Sequence, residues 1–88
     1  MSFHYSDHLP FILSEEGSRE FVAVRDSFLE SVRGTGAAKA GHIFKHRRGG
    51  DSAQTSAFVE RMIELGDLRY VEGTEGRVWQ DRIVEVVR

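Results

Sequence analysis

Apolar side chains recur at helical spacing in three stretches of this chain and at strand spacing after them. Phe21, Val22, Val24, Phe28, Leu29 and Val32 repeat with a period near 3.6 up to Gly34, which predicts a first helix capped by Ser14 or Ser18. Arg25 falls inside that apolar arc, so its stem is expected to pack and its head to turn to the rim or to an acid. A second helix is expected over residues 36–47, capped by Thr35 and ended by Gly49-Gly50. Ala40, Ile43 and Phe44 face inward in it, and Lys39, His42, Lys45 and His46 stay wetter. The third helix is expected over residues 52–65, where Asp51 and Gln54 approximate a capping box and Gly66 stops the run. Phe58, Val59, Met62 and Leu65 form its buried stripe. Ala53, Ala57, Glu60 and Glu64 are left outward, flanked by Gln54, Ser56 and Arg61.

From Leu68 the period becomes strand-like. Leu68-Arg69-Tyr70-Val71 leads into Gly73-Thr74-Glu75-Gly76 and back along Arg77-Val78-Trp79, a loop of hairpin length between two short strands. Residues 82–87 are rich in β-branched side chains, and they extend the return strand or form a third one. At the other end the apolar run of residues 3–13 is interrupted by Pro10, which cannot donate to a ladder, so it reads as an edge strand or extended arm. The expected class is α+β in a single domain: an arm in 1–13, a three-helix core in 14–66, and a hairpin with a C-terminal strand in 67–88.

A chain of 88 residues supports one small core. The absence of cysteine excludes disulfides, thiolate catalysis and Cys-ligated zinc, so packing must carry stability. No basic leader followed by an apolar run and no stretch near the ~20 apolar residues of a membrane span is present. A soluble, unprocessed, cytoplasmic protein without membrane partners is therefore expected. Charge is unevenly spread within the formal net of −2. Residues 33–50 carry Arg33, Lys39, Lys45, Arg47 and Arg48 with no acid, whereas acids outnumber bases on both sides.

Three helices and a hairpin, with a Gly-Gly turn between the second and third helices, resemble the winged helix-turn-helix superfamily. Phe58-Val-Glu-Arg-Met-Ile-Glu-Leu-Gly66-Asp-Leu-Arg-Tyr-Val71 is similar to the end of a recognition helix, its glycine stop and the first wing strand. Such domains carry a short strand between their first two helices. Gly34-Thr35-Gly36 is too short for one, so the arm is expected to fill that sheet position or the hairpin to stand alone.

The resemblance implies duplex DNA as ligand, with a role in regulating transcription or a mobile element. Ser52, Gln54, Thr55 and Ser56 would lie near bases, Arg61 near the backbone, Lys39, Lys45, Arg47 and Arg48 on phosphates, and Arg77 on the wing. Glu60, Glu64, Glu72 and Glu75 oppose that ligand, and they motivate the alternative of a winged-helix module that binds another protein. A homodimer would suit a two-fold operator, with residues 3–13 or 83–87 at its interface.

Two histidine pairs, His4/His8 and His42/His46, have the i, i+4 spacing that on a helix suits a metal, but two histidines alone leave a site short of ligands, to which Asp7 or Asp51 could contribute. No metal or other cofactor is expected. No glycine-rich phosphate loop, triad spacing or isolated carboxylate pair points to catalysis, so the chain is not expected to be an enzyme. Trp79 and Tyr70 are expected to pack in the core and not to stack on bases.

Overall fold

The computed structural model describes residues 5–87. A 3₁₀ turn (Tyr5–His8) leads into a short helix, α1 (Leu9–Ile12), and then the long helix α2 (Glu15–Thr35). Strand β1 (Ala38–Lys39) and a 3₁₀ segment (Ala40–His46) precede helix α3 (Ser52–Glu64). Strand β2 (Leu68–Tyr70), a 3₁₀ turn (Trp79–Asp81) and strand β3 (Ile83–Val86) complete the fold.

The described part of the N-terminal arm is helical, not extended. Pro10 lies in the first turn of α1, where a missing N–H leaves no hydrogen bond unmade, and Ile12 enters the core. Ser14, not Ser18, caps α2, its hydroxyl accepting from Gly17 N at 3.0 Å. The helix runs through Gly34 to Thr35 and closes at Gly36. Thr35 caps nothing, since its hydroxyl faces carbonyls, the nearest being Ala37 O at 2.8 Å.

No α-helix forms over residues 36–47. Ala38 and Lys39 pair antiparallel with Val84 and Ile83, and Ala40 N donates to Arg82 O at 2.8 Å. The seven residues that remain, Ala40–His46, wind as a 3₁₀ segment with no side-chain cap. The sheet partner of β3 on this side is therefore β1 and not the N-terminal arm.

Asp51 caps α3 by accepting from Ala53 N at 2.7 Å and Gln54 N at 3.4 Å. Gly66, at φ 83°, turns the chain out of the helix in a conformation that other residues adopt at a cost. The buried face is rotated from the expected one: Ala57 and Thr55 are inside, and Leu65 is 50% exposed at the helix end. Val22 on α2 is exposed for the same reason, lying at the margin of its arc.

The sheet is antiparallel in the order β1-β3-β2, with Leu68 opposite Val86, Arg69 opposite Glu85 and Tyr70 opposite Val84. The hairpin therefore returns along residues 83–86, not 77–79, and residues 71–82 form the connection. β3 lies between the other two strands, so the β-rich end expected to serve dimerisation occupies the middle of the sheet. Phe28, Val32, Ile43, Phe58, Met62 and Val84 form the centre of one core to which α2, α3, the 3₁₀ segment and the sheet all contribute. The radius of gyration, 12.2 Å, is close to the ~12 Å expected for a compact domain of this length.

Candidate functional site

Arg47, expected on phosphates, is drawn into the interior. Its side chain is 6% exposed, and its guanidinium donates to Glu20 Oε2 at 3.1 Å, Thr55 Oγ1 at 3.0 Å and Gln54 Oε1 at 3.3 Å. It also lies over the Phe58 ring, 5.0 Å from the centroid, and within 5.8 Å of Phe11. Arginine suits this place because its planar fork can serve several acceptors while its face rests on rings. The same network engages two of the residues expected near bases. Thr55 is 2% exposed and also donates to Asp51 O, and Gln54 faces Arg47 instead of reaching back to complete a capping box.

The other cations differ in how far they are engaged. Lys39 pairs with Asp81 at 3.7 Å, Arg61 with Glu64 at 2.6 Å, and Arg77 reaches Asp81 O at 3.5 Å. Lys45 and Arg48 are exposed and make no ion pair among the described residues. Ser52 is exposed on the first turn of α3. Ser56 lies one turn further along, its hydroxyl donating to Ser52 O at 3.0 Å. Arg25, as expected for its position, turns to an acid, with both Nε and Nη2 donating to Asp67 at 2.7 and 3.0 Å.

The outer face of α3 is not a free ridge. Ser52, Ser56 and Glu60, successive i, i+4 positions, line an open groove of about 590 Å3 walled by Tyr5, Phe44 and Trp79. Phe44, expected inside, is 38% exposed and meets the Trp79 ring edge-on at 6.1 Å between centroids. The approach of the two walls depends on Gly41, where an added Cβ would come within 2.9 Å of Gln80 Cβ and 3.0 Å of its carbonyl. At the other side, Tyr5 Oη lies buried beside the Arg61 guanidinium and the Glu64 carboxylate, and burial raises its pKa.

A hydrogen-bond relay supports the groove from below. Trp79 Nε1 donates to Tyr70 Oη at 3.0 Å, and Tyr70 Oη donates to Glu60 Oε1. Burial, reinforced by Glu60, pushes the Tyr70 pKa well above the usual phenol range and so keeps the hydroxyl a donor. Arg82 lies over the Tyr70 ring at 3.6 Å, and Glu60 makes no ion pair within 4.0 Å among the described residues. Tyr70 and Trp79 thus join core packing to an exposed site. Sequence reasoning missed this groove because its walls come from distant segments and Phe44 sits among inward-facing apolar positions.

Only the second histidine pair falls within the described residues. His4 lies outside the described residues. His42 and His46 sit on a 3₁₀ segment, where i, i+4 residues diverge, and His46 Nδ1 is hydrogen-bonded with Ser27 Oγ at 2.7 Å. No group of three or more His, Asp or Glu side chains suited to a metal occurs among the described residues. None of their helices is long and apolar enough to cross a membrane.

No known protein family, curated protein or solved structure matches this chain.

Proposed function

We propose that this chain is a winged-helix module that binds another protein through the groove on the outer face of α3. The order of elements supports the winged-helix reading, because the strand such domains carry between their first two helices has a counterpart in β1. The groove itself carries the protein-binding reading. A helix that enters the major groove needs a clear, convex face with donors toward phosphates. Here Tyr5, Phe44 and Trp79 rise beside that face and Glu60 lies on it, an arrangement of aromatic anchors in a concave site that suits a polypeptide.

Duplex DNA is the second reading, favoured by exposed Lys45 and Arg48 beside Ser52 at the start of α3. It assigns the chain to regulating transcription or a mobile element.

Two parallel measurements separate these readings. The intact protein and its Ser56→Phe variant, which fills the groove from a half-exposed helix position, are used to recover partners from extracts of the cells that make it. Binding of a fluorescent duplex is followed by anisotropy across salt. A polypeptide recovered by the parent and lost with Ser56→Phe, alongside flat anisotropy, is the expected result. Anisotropy that rises with protein, falls steeply with salt and loses about two units of salt slope in Lys45→Ala/Arg48→Ala would establish DNA instead.

A further inference from the structure

Three aromatic side chains and one carboxylate share the groove, and this combination has a specific chemistry. Ring faces present an electronegative, apolar surface, which stabilises a cation whose water shell has been partly stripped. Glu60 supplies formal charge at the same place. Its carboxylate is held by Tyr70, and Tyr70 by Trp79, so the acceptor is positioned before any ligand arrives.

The protein's own cations leave the carboxylate open. Arg61 is engaged with Glu64, Lys39 with Asp81, and Arg82 with the Tyr70 ring. Unlike Glu20, Asp67 and Glu85, which pair with Arg47, Arg25 and Arg69, Glu60 has no ion-pair partner among the described residues. A carboxylate facing an aromatic-walled groove is complementary to a positive ligand.

We propose that the groove is a subsite for a lysine side chain, carried on an exposed basic segment of the partner protein. The assignment builds on the groove being a protein-binding site and adds the chemistry of what enters it. Lysine is favoured over arginine by the geometry of the acceptor. Glu60 Oε1 already accepts from Tyr70, so Oε2 remains as a monodentate acceptor, suited to a compact ammonium and poorly suited to the two-pronged guanidinium fork. The aliphatic lysine stem lies against Phe44 and Trp79, and the ammonium reaches Glu60 between them.

Trp79 is the only tryptophan in the chain, so its indole N–H resonance reports directly on the groove. The 88-residue chain is titrated with a Gly/Ser peptide containing lysines, with the same peptide acetylated at every lysine, and with its arginine counterpart. Saturable movement of the Trp79 signal is expected with the lysine peptide, about tenfold weaker binding after acetylation, and arginine binding weaker than lysine. Glu60→Gln, which keeps an acceptor for Tyr70 while removing the charge, is expected to reduce affinity by about tenfold with an unchanged melting temperature. Phe44→Ala removes one wall without touching the carboxylate and is expected to weaken binding several-fold.

Equal binding of the acetylated peptide, tighter binding of arginine, or full affinity in Glu60→Gln would overturn the lysine subsite. The broader reading has its own outcome. A protein partner lost with Ser56→Phe but retained by Glu60→Gln leaves the groove as the binding site and removes the cation from it, whereas a partner retained by both variants removes the groove as well.

Discussion

Arg47 illustrates how far a residue's role can depart from its type. It belongs to the most basic stretch of the chain, yet its guanidinium holds α2, through Glu20, to the start of α3, through Thr55 and Gln54. Glu20 remains partly solvated, so the ion pair alone contributes modestly. The larger effect of removing it comes from the lost packing on Phe58 and Phe11 and from acceptors left without a donor. Arg47→Ala is expected to destabilise the fold by about 2–4 kcal/mol in denaturant melts. Arg47→Lys should recover only part of that loss, since an ammonium cannot serve the same acceptors while resting flat on a ring. Arg48→Ala, one residue later and exposed, should leave stability nearly unchanged.

The C-terminal end of α3 shows what a single backbone position does for an element. Gly66 lets Asp67 N reach Met62 O at 2.8 Å and places Asp67 for Arg25, so the helix stop, the strand entry and an inter-element ion pair meet there. No atom lies within 4 Å of a Cβ built at this position, so Gly66→Ala meets only the cost of its positive φ, about 1 kcal/mol in thermal or chemical melts. This stop, the Asp51 cap and the long periodic runs of α2 and α3 were legible in the sequence because local chemistry determines them. β1 was not, since two residues have no periodicity and their extended state comes from pairing with β3. The rotation of α3 was equally hidden: Thr55, Ala57 and Leu65 lie near the boundary of its apolar arc, and tertiary packing decides which side of it each takes. The groove required Tyr5, Phe44 and Trp79 to be brought together from three segments, which no local pattern encodes.

At the scale of the whole molecule, stability should depend on pH through His46, which joins the 3₁₀ segment to α2 by its bond with Ser27 and its edge contact with Phe28. Burial, followed by the neighbouring charges of His42 and Lys45, lowers its pKa below the usual 6.5. The unfolded chain therefore binds this proton more readily than the folded one. The contribution of neutral His46 is complete above about pH 6.5 and is lost as pH falls toward the depressed value. The melting temperature should rise between about pH 5 and 7.5, with a shallower rise in His46→Gln, as calorimetry across that range can check. The sheet, finally, places its latest strand at its centre: β3 holds both β1 and β2, which do not pair with each other. A growing polypeptide can wind α2 and α3 as they appear, but its earlier strands have no partner until residues 83–86 are made. Formation of the sheet thus waits on residues 83–86, and a nascent chain stalled before Ile83 would hold its helices beside two strands awaiting closure.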